Sequence, residues 1–555
     1  MRYPLVLSAL LTAGLLAGCG LRSSSEPGPF PTLLVTIDTL PANRVGCYGS
    51  PSARTPFLDR MARTGLQAVR AISPAPITLP SHSTVLTGMV PPWHGVRENG
   101  IFRLEDSLST IPELLPEDVA TGAFVGSVVL AEKYNLSQGF DTYNDDFSGT
   151  DATGEGHLER TAGEVFSAAS DWLAGFDPDD RIFLWTHVFD PHYPYRAPAP
   201  WPGTALEAYD AEVAYTDHQL GRFLRSLGDG NPSRLPLVLV TADHGESLGG
   251  HGELTHSLFV YDDTQHIPLL VTGTAAGPQR LDPSLRSLLD VPATLLDFFD
   301  GSPPDARRTG ESLFRPALSE TAYVETLHTE LYRGWSPLYG VRTPDWKYIR
   351  APRPELYDLC TDPGETVNLH AERPEIVGAL SSALDRILLR EVPVHALAPE
   401  TEAMAELRSL GYVATVRPGR RARRLEGAKD PKDGVKGSVA LFRGEQAILD
   451  GDLVRAERYF TQTIRLDPEC KEAHSFLAGV YFTWGRYPLA ADYARRALEL
   501  PPDMMEAPIY ATLGEIYLAM GRPKDAVAPL KKAVQLAPRS ERNRNLLAEA
   551  ERAPR

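Results

Sequence analysis

The sequence predicts a doubly wound α/β domain followed by a tail of helical repeats, in a chain of 555 residues. Residues 32–38, 182–186 and 235–241 are continuous apolar runs, which is the pattern of parallel strands buried on both faces. Amphipathic stretches at 161–173 and 209–227 lie near them in the chain and predict helices. Alternation of buried strands with helices is typical of an open parallel sheet covered on both faces.

The first 19 residues have the composition of a bacterial export signal. Arg2 supplies a positive charge, residues 4–18 are mostly apolar, and Leu16-Ala17-Gly18-Cys19 resembles the lipobox of bacterial lipoproteins. This resemblance implies lipidation of Cys19, a tether over 20–31 and a membrane-anchored lipoprotein of the cell envelope that faces the periplasm or the exterior. Gly20 favours the outer membrane. Secretion without lipidation, with Cys19 a chance residue, is the alternative.

Composition excludes several classes of protein. A formal net charge of −17 argues against a general nucleic-acid binder, because the phosphate backbone would be repelled. Besides Cys19, the cysteines are Cys47, Cys360 and Cys470, and their separations fit neither a disulfide framework nor a zinc site.

Polar side chains follow each of the three predicted strands. Asp38 ends the first, Asp243 and His244 follow the strand at 235–241, and a segment with three polar groups follows the strand at 182–186: His187, Asp190 and His192. Ligand sites of open α/β sheets gather at the carboxyl ends of the strands, so we expect these groups on one rim. Alternatively, Asp38 only caps a turn, and Asp243 and His244 belong to a polar strand-to-helix turn.

The segment from Ser73 to Gly88 predicts a stiff loop that leads into a helix. Three prolines restrict its first half, Ser81 can cap the helix, and Gly88 can end it. The hydroxyl of Thr78 would then lie close to the positive end of a helix, where a nucleophile could attack an anionic ester. In the alternative interpretation Thr78 and Ser81 are only capping residues.

Several motifs in one order resemble the sulfatase family, which belongs to the alkaline-phosphatase superfamily. They comprise Asp38, Cys47-Tyr48-Gly49, Thr55–Asp59, Thr78–His82, Leu86–Gly88, Asp243–Gly245, Tyr357–Leu359 and Asp362–Leu369. The resemblance covers about residues 32–370. It implies an alkaline-phosphatase-like catalytic domain over 32–372, with a small antiparallel sheet near its C-terminal end.

The resemblance also implies the chemistry of the site. Asp38, Asp243, His244 and the oxygen of Thr78 would hold one divalent metal, which the ligand set leaves open among Ca²⁺, Mg²⁺, Mn²⁺ and Zn²⁺. His192 would contact the ester, and His256 would donate a proton to the leaving group. Alternatively, Asp190, His192 and His256 would bind a second metal.

The sequence departs from the family pattern at four places. Many sulfatases carry a cysteine, matured to formylglycine, at the position of Thr78, and an arginine at the position of His82. Thr39 stands where another aspartate is common, and no Gly-Lys-x-His pattern is recognisable in 126–139. Threonine cannot become formylglycine, so Thr78 favours phosphate esters, and the missing carboxylate favours a transition metal over Ca²⁺.

Other polar residues are weaker candidates. Lys347 lies in the predicted small sheet, where a structural role is favoured over a catalytic one, and His94 fits a turn. His187 and His251 fit hydrogen-bonded loop residues as well as they fit a site.

The tail contains an internal repeat. Residues 373–416 predict a helical extension, 417–436 a basic linker that is solvated or touches anionic lipid, and 437–545 three repeats. Glycine, alanine, leucine and proline recur in phase at a period near 34: Gly451, Gly485 and Gly521; Ala456, Ala490 and Ala526; Leu466, Leu500 and Leu536; Pro468, Pro502 and Pro538. This pattern resembles tetratricopeptide repeats, which implies a groove for a protein partner. A stabilising cap is the alternative.

The sequence therefore predicts a metal-dependent hydrolase of sulfate or phosphate esters with a threonine nucleophile. Two alternatives stay open: an inactive sulfatase-like binding protein that recruits a partner through the repeats, and a transferase of phosphoryl head groups in the envelope.

Overall fold

The computed structural model describes residues 30–147, 159–196, 205–227, 230–301, 307–392, 427–501, 506–538 and 540–552. The predicted export signal with Cys19, most of the tether, and residues 393–426 lie outside the described residues. Among the helices that are described, none combines the length and apolar character needed to cross a membrane.

The core is an eight-stranded, mostly parallel sheet in the order β4-β3-β5-β1-β6-β7-β2-β8. Its strands are β1 Thr32–Ile37, β2 Leu66–Ile72, β3 Val119–Val125, β4 Thr142–Asn144, β5 Arg181–Val188, β6 Val238–Ala242, β7 His266–Thr272 and β8 Arg280–Ser287. β1 lies between β5 and β6 and runs parallel to both, so the carboxyl ends of these three strands meet at one rim.

Helices cover the sheet and pack their apolar sides on it. They are α1 Pro56–Thr64, α2 Thr78–Thr87, α3 Pro91–His94, α4 Ala162–Leu173, α5 Ala205–Ser226, α6 Asp262–Gln265, α7 Asp290–Phe298, α8 His328–Arg333 and α9 Pro374–Leu388. α4 begins where predicted, because Thr161 and Glu164 form a reciprocal capping box. The predicted α/β architecture is confirmed.

The start of α2 differs from the prediction. The helix begins at Thr78, so Pro80 lies within its first turn, where a missing N–H costs no helical hydrogen bond. The Ser81 hydroxyl donates to the Ala75 carbonyl, 2.8 Å away, and does not cap a helix. All ten residues of α2 are buried, and the helix ends at Gly88 in the left-handed conformation, as predicted.

A second sheet of four antiparallel strands follows, in the order β12-β11-β10-β9. Its strands are β9 Ala322–Thr326, β10 Leu338–Arg342, β11 Trp346–Arg350 and β12 Glu355–Asp358. Buried Lys347 on β11 pairs with Asp262 at 2.8 Å and with Glu365 at 2.9 Å. These contacts give Lys347 the structural role that the sequence favours.

The tail is a series of antiparallel helix pairs. Its helices are α10 Pro431–Leu449, α11 Leu453–Leu466, α12 Lys471–Thr483, α13 Tyr487–Glu499, α14 Glu506–Ala519, α15 Pro523–Leu536 and α16 Glu541–Arg552. Gly451, Gly485 and Gly521 have positive φ in the turns between helices, which explains their periodic recurrence.

One predicted boundary in the tail is wrong. The predicted helical extension begins with a helix that ends at Leu388, and the predicted end of the extension lies outside the described residues. The predicted linker reaches residue 436, but α10 already starts at Pro431, because the Asp430 side chain accepts a hydrogen bond from the Lys432 N–H and caps it. The five arginines of the predicted linker, Arg417, Arg420, Arg421, Arg423 and Arg424, lie outside the described residues.

Candidate active site

Three side chains converge at the rim where β1 and β6 end. Asp38 directly follows β1, and Asp243 and His244 directly follow β6. One potential ligand atom from each lies within 4.8 Å of the others, and all three residues are buried. His244 Nε2 is 3.7 Å from Asp38 Oδ1 and 3.5 Å from Asp243 Oδ2. The structure thus brings together three of the four residues predicted as metal ligands, Asp38, Asp243 and His244.

The carboxylates of this cluster are only partly satisfied. Asp243 Oδ1 accepts the N–H groups of His244 and Thr39, at 2.8 and 3.3 Å. Asp243 Oδ2 and both carboxylate oxygens of Asp38 have no hydrogen-bond partner among the described residues. Burial raises the pKa of both aspartates, and the charge of Asp38 raises that of Asp243 further. Two buried carboxylates side by side fit a cation, which would satisfy the three oxygens at once.

Thr78 lies beside this cluster at the first position of α2. Its Oγ1 is 3.4 Å from His244 Nε2, and its side chain is buried. His244 Nδ1 is 3.0 Å from the Gly245 carbonyl and donates to it, so in the neutral ring Nε2 presents a lone pair to the cluster. The Thr39 hydroxyl, by contrast, donates to the Pro191 carbonyl and is not available to the cluster.

Two neutral histidines lie under the cluster. His82 Nδ1 is 2.8 Å from the Thr78 carbonyl, and its Nε2 is 2.9 Å from the Thr36 hydroxyl. His187 Nε2 is 3.5 Å from Asp38 Oδ2 and has no hydrogen-bond partner in the described part of the chain. Burial lowers the pKa of His82 to about 3 and that of His187 to about 4. Neither ring therefore supplies the positive charge that the carboxylates lack.

His192 and His256 form the outer side of the site. Their ring centroids are 5.4 Å apart, and the ring of His256 is 4.6 Å from that of His244. His192 also stacks on Phe189, at 4.2 Å. Both predicted catalytic histidines thus border the cluster.

Glu246 was missed in the sequence, although it comes two residues after His244. Its Oε1 is 3.2 Å from His256 Nδ1, and its Oε2 accepts from the Tyr195 hydroxyl at 3.0 Å. Burial raises the pKa of Glu246 to about 8 and lowers that of His256 well below its usual value. The only sequence signal was a carboxylate near the Asp-His pair, which is not specific.

Asp190 lies apart from the group proposed for a second metal. Its Oδ2 accepts the N–H of Ala162, at 2.6 Å, at the start of α4. Among the described residues, the three side chains whose potential ligand atoms lie within 4.8 Å of one another are those of Asp38, Asp243 and His244. The structure does not bring Asp190 together with His192 and His256 in this way.

The weaker candidates have other contacts. His251 stacks on Tyr261, with ring centroids 3.6 Å apart, and His94 accepts from the Val96 N–H at 3.1 Å within a turn. Both contacts suit structural residues of loops.

Comparison with family models assigns two parts of the chain. Residues 32–302 match the model described as sulfatase, and residues 450–504 and 507–540 match models described as tetratricopeptide repeat. Both resemblances found in the sequence are confirmed by these matches.

Curated relatives share part of the chain. Bovine (Bos taurus) arylsulfatase K is 31% identical over 196 residues, which cover 32% of this chain and 36% of the relative. The chain thus spans about a third of the length of the arylsulfatases K it matches. The delta 4,5-hexuronate-2-O-sulfatase of Bacteroides thetaiotaomicron is 25% identical over 422 residues, covering 64% of this chain and 87% of the relative.

Solved structures share the fold. A protein in complex with its substrate D-glucosamine-2-N,6-O-disulfate has a TM-score of 0.55 at 19% identity and covers 66% of this chain and 98% of its own. The phosphonate monoester hydrolase of Agrobacterium radiobacter has a TM-score of 0.56 at 18% identity, covering 66% and 96%.

Proposed function

Because residues 32–302 form a sulfatase-family domain that precedes tetratricopeptide repeats, we propose that this chain is a metal-dependent hydrolase of sulfate or phosphate esters with Thr78 as its nucleophile. One observation carries the proposal: the Thr78 hydroxyl borders a buried cluster of Asp38, Asp243 and His244 in which three of the four carboxylate oxygens have no hydrogen-bond partner among the described residues. The names of the relatives include enzymes of sulfate and of phosphonate esters, which agrees with this breadth of substrate.

Asp38, Asp243 and His244, with the oxygen of Thr78, would hold the metal ion. When bound, a divalent ion lowers the pKa of a hydroxyl and offsets negative charge on the oxygens of an ester. Ca²⁺, Mg²⁺, Mn²⁺ and Zn²⁺ all accept carboxylate ligands. Two carboxylates with one imidazole, and a Thr39 hydroxyl committed elsewhere, favour a transition metal over Ca²⁺.

The residues of the chain divide the reaction into two steps. In the first, the Thr78 hydroxyl releases its proton to solvent, its oxygen bonds to sulfur or phosphorus, and the bond to the departing alcohol breaks. His256 gives a proton to that alcohol and takes one at Nδ1 from Glu246, whose pKa of about 8 keeps its carboxyl protonated at neutral pH. In the second step, water attacks the same sulfur or phosphorus and releases Thr78. His192 contacts the ester from the outer side of the site.

The test replaces the nucleophile and measures turnover of aryl sulfates, phosphate monoesters and phosphate diesters with protein of known metal content. Thr78→Ala is expected to lose at least about a thousandfold in kcat/KM, because it removes the hydroxyl that borders the cluster. Thr78→Ser keeps the hydroxyl and should retain measurable turnover. Undiminished activity of the alanine variant would overturn the proposed nucleophile.

The same measurement separates the alternatives. Wild-type protein that holds no metal and cleaves none of the esters would instead support a binding protein that has lost catalysis. Transfer of a phosphoryl-linked group to an acceptor alcohol, detected as a modified acceptor without free product, would support a transferase.

We also propose that the chain is a lipoprotein of the bacterial envelope, anchored through Cys19, and that its repeats bind a protein partner. The lipobox-like segment before Cys19 and the repeat matches support these two points. Metabolic labelling with a palmitate analogue should mark the wild type and not Cys19→Ser; equal labelling of both would refute the anchor.

A further inference from the structure

A cavity of about 110 Å³ lies next to the two catalytic histidines, and part of its wall comes from the tail of the chain. His192 and His256 line one side. On the other side lie Ser438, Phe442 and Glu445, which all belong to α10. The first helix of the tail is therefore a wall of a cavity that adjoins the active site.

α10 is fixed firmly on the catalytic domain. Lys432 Nζ is 2.6 Å from Glu355 Oε1, and Val435 is buried in an apolar cluster of the catalytic domain. Gly434 lies so close to the ring of Trp335 that a Cβ atom at this position would overlap it. The wall is thus part of the same packed body as the site.

The wall also contacts the loop that carries His192. The ring of Tyr193 packs edge-on against that of Phe442, with centroids 4.8 Å apart. The hydroxyl of Tyr193 also hydrogen-bonds to Gln446 of α10. The position of the His192 loop therefore depends on α10.

Several polar atoms of residues that line the cavity have no hydrogen-bond partner among the described residues. Ser438 Oγ, Glu445 Oε1 and Arg333 Nε are buried without a hydrogen bond among the described residues. A buried polar group left without a partner costs about 1–3 kcal/mol, so such groups are normally satisfied by water or by a ligand. Ser438, Glu445 and Arg333 all line the cavity, so a ligand there would meet a hydroxyl, a carboxyl and a guanidinium group.

The positive charge of Arg333 beside the cavity is compensated by a carboxylate. The guanidinium of Arg333 is 2.9 Å from the carboxylate of Glu472 on α12. Burial raises the pKa of Glu445 to about 8, so this carboxyl is mostly uncharged at neutral pH. The cavity therefore suits a neutral polar ligand better than a second anionic group.

We propose that α10 forms the subsite for the leaving group, in which Ser438 and Glu445 bind hydroxyl groups of a neutral sugar ring beside the aromatic pair of Tyr193 and Phe442. This inference rests on the proposed ester hydrolysis and adds its specificity: esters of hydroxylated rings are preferred over esters of bare rings. The repeat tail then has a role in substrate choice besides any role in binding a partner.

The test compares two esters of the same shape, glucose 6-sulfate and cyclohexylmethyl sulfate, and the corresponding phosphates. Ser438→Ala and Glu445→Leu remove the polar groups, and Arg443→Ala, an exposed residue of α10, is the control. We expect the ratio of kcat/KM for the glucose ester to that for the cyclohexyl ester to fall at least tenfold in the first two variants. The control should keep the wild-type ratio, and thermal melting checks that each variant is folded.

A ratio within twofold of wild type in both variants would overturn the subsite, whatever the absolute rates. Failure of the proposed function has a different signature, since the wild type would then cleave no ester at all. In that event, calorimetric binding of glucose 6-sulfate and glucose 6-phosphate to full-length Thr78→Ala, with and without Glu445→Leu, still decides the matter. Equal affinity of the two proteins, or no binding to either, refutes the subsite.

Discussion

Some buried charged residues of this molecule have charged partners and others do not, and residues of the second kind mark the candidate site. Lys347 is fully buried, and its ammonium group meets two carboxylates, of Asp262 and Glu365. Asp38 is also fully buried, yet neither of its oxygens has a hydrogen-bond partner in the described residues. A completed ion pair belongs to the scaffold, whereas carboxylates left open beside a hydroxyl are suited to bind a cation and a substrate.

Replacement of Lys347 should destabilise the scaffold without altering the chemistry. Lys347→Met leaves Asp262 and Glu365 with less compensating charge, and breaking a buried pair costs about 3–5 kcal/mol. The free energy of unfolding in urea measures this. Arg181→Met, which opens the exposed pair with Asp118, is the matched control and should leave the free energy of unfolding almost unchanged. Equal losses in the two variants would contradict the structural role.

Asp217 predicts a local dependence of stability on pH. Its carboxylate accepts the N–H groups of Phe57 and Leu58 at the start of α1, but burial dominates and raises its pKa to about 6. The native state then holds a proton that the unfolded chain releases near pH 4. Stability from this group is complete below pH 4 and is lost as the pH rises to 6, by about 2–3 kcal/mol.

Asp217→Asn removes this titration and keeps an oxygen that can accept from both N–H groups. The free energy of unfolding of the variant, measured from pH 4 to pH 7, should fall less than that of the wild type over the same range. Parallel curves would show that Asp217 does not titrate as the structure indicates.

Only part of the site could be predicted at the residue scale. Asp38, Asp243 and His244 were predictable, because each follows a buried strand and parallel strands place their ends together. Glu246 and Glu445 were not, since the first belongs to no recognisable spacing and the second is brought to the site by the docking of a distant helix. Contacts between residues far apart in sequence depend on packing, which no local pattern encodes.

At the scale of elements, the strands were predicted well and the helix starts less well. Buried parallel strands such as β1 and β5 are continuous apolar runs, and both form where expected. α2 starts at Thr78 and not at Ser81 because prolines are tolerated in the first turn, so a proline does not fix where a helix begins. Residues 431–436 were predicted as linker because one glycine and two lysines weaken the apolar pattern there, although Gly434 allows α10 to pack closely on Trp335.

Two of the three glycines of α10, Gly434 and Gly437, predict opposite effects of the same substitution. Gly434→Ala places a methyl group against the ring of Trp335 and should weaken the docking of α10, lowering the melting temperature and the turnover of sugar esters. A Cβ at Gly437 would be 3.6 Å from its nearest neighbour, Asp467, and fits. Gly437→Ala should therefore stabilise the helix by up to about 1 kcal/mol. Stabilisation by both substitutions would show that α10 does not pack on Trp335.

At the scale of the whole molecule, the sheet brings the polar groups of the site together, and the first helix of the tail lies opposite them. β1, β5 and β6 deliver the carboxylates and histidines to one rim, α2 brings the hydroxyl, and α10 supplies the opposite wall. The repeats were predicted to bind a partner or to form a stabilising cap, and the first helix of the tail, α10, packs on the domain that carries the candidate site. In the proposed subsite, residues of α10 determine substrate specificity, and α10 lies outside the sulfatase match at 32–302.

Removal of metal should lower the stability of the entire domain. Asp38 and Asp243 come from neighbouring strands, so repulsion between them without a cation opposes the pairing of β1 with β6. A ligand present at about a hundred times its dissociation constant adds roughly 2.7 kcal/mol to the free energy of unfolding. Chelation of wild-type protein should therefore lower its melting temperature by several degrees, and the re-added ion should restore it.

Asp243→Asn removes one charge and one ligand, so its melting temperature should be higher than that of chelated wild type and insensitive to the chelator. A chelator-insensitive wild type with no bound metal would contradict the metal site, and a variant as sensitive as wild type would place the ion elsewhere.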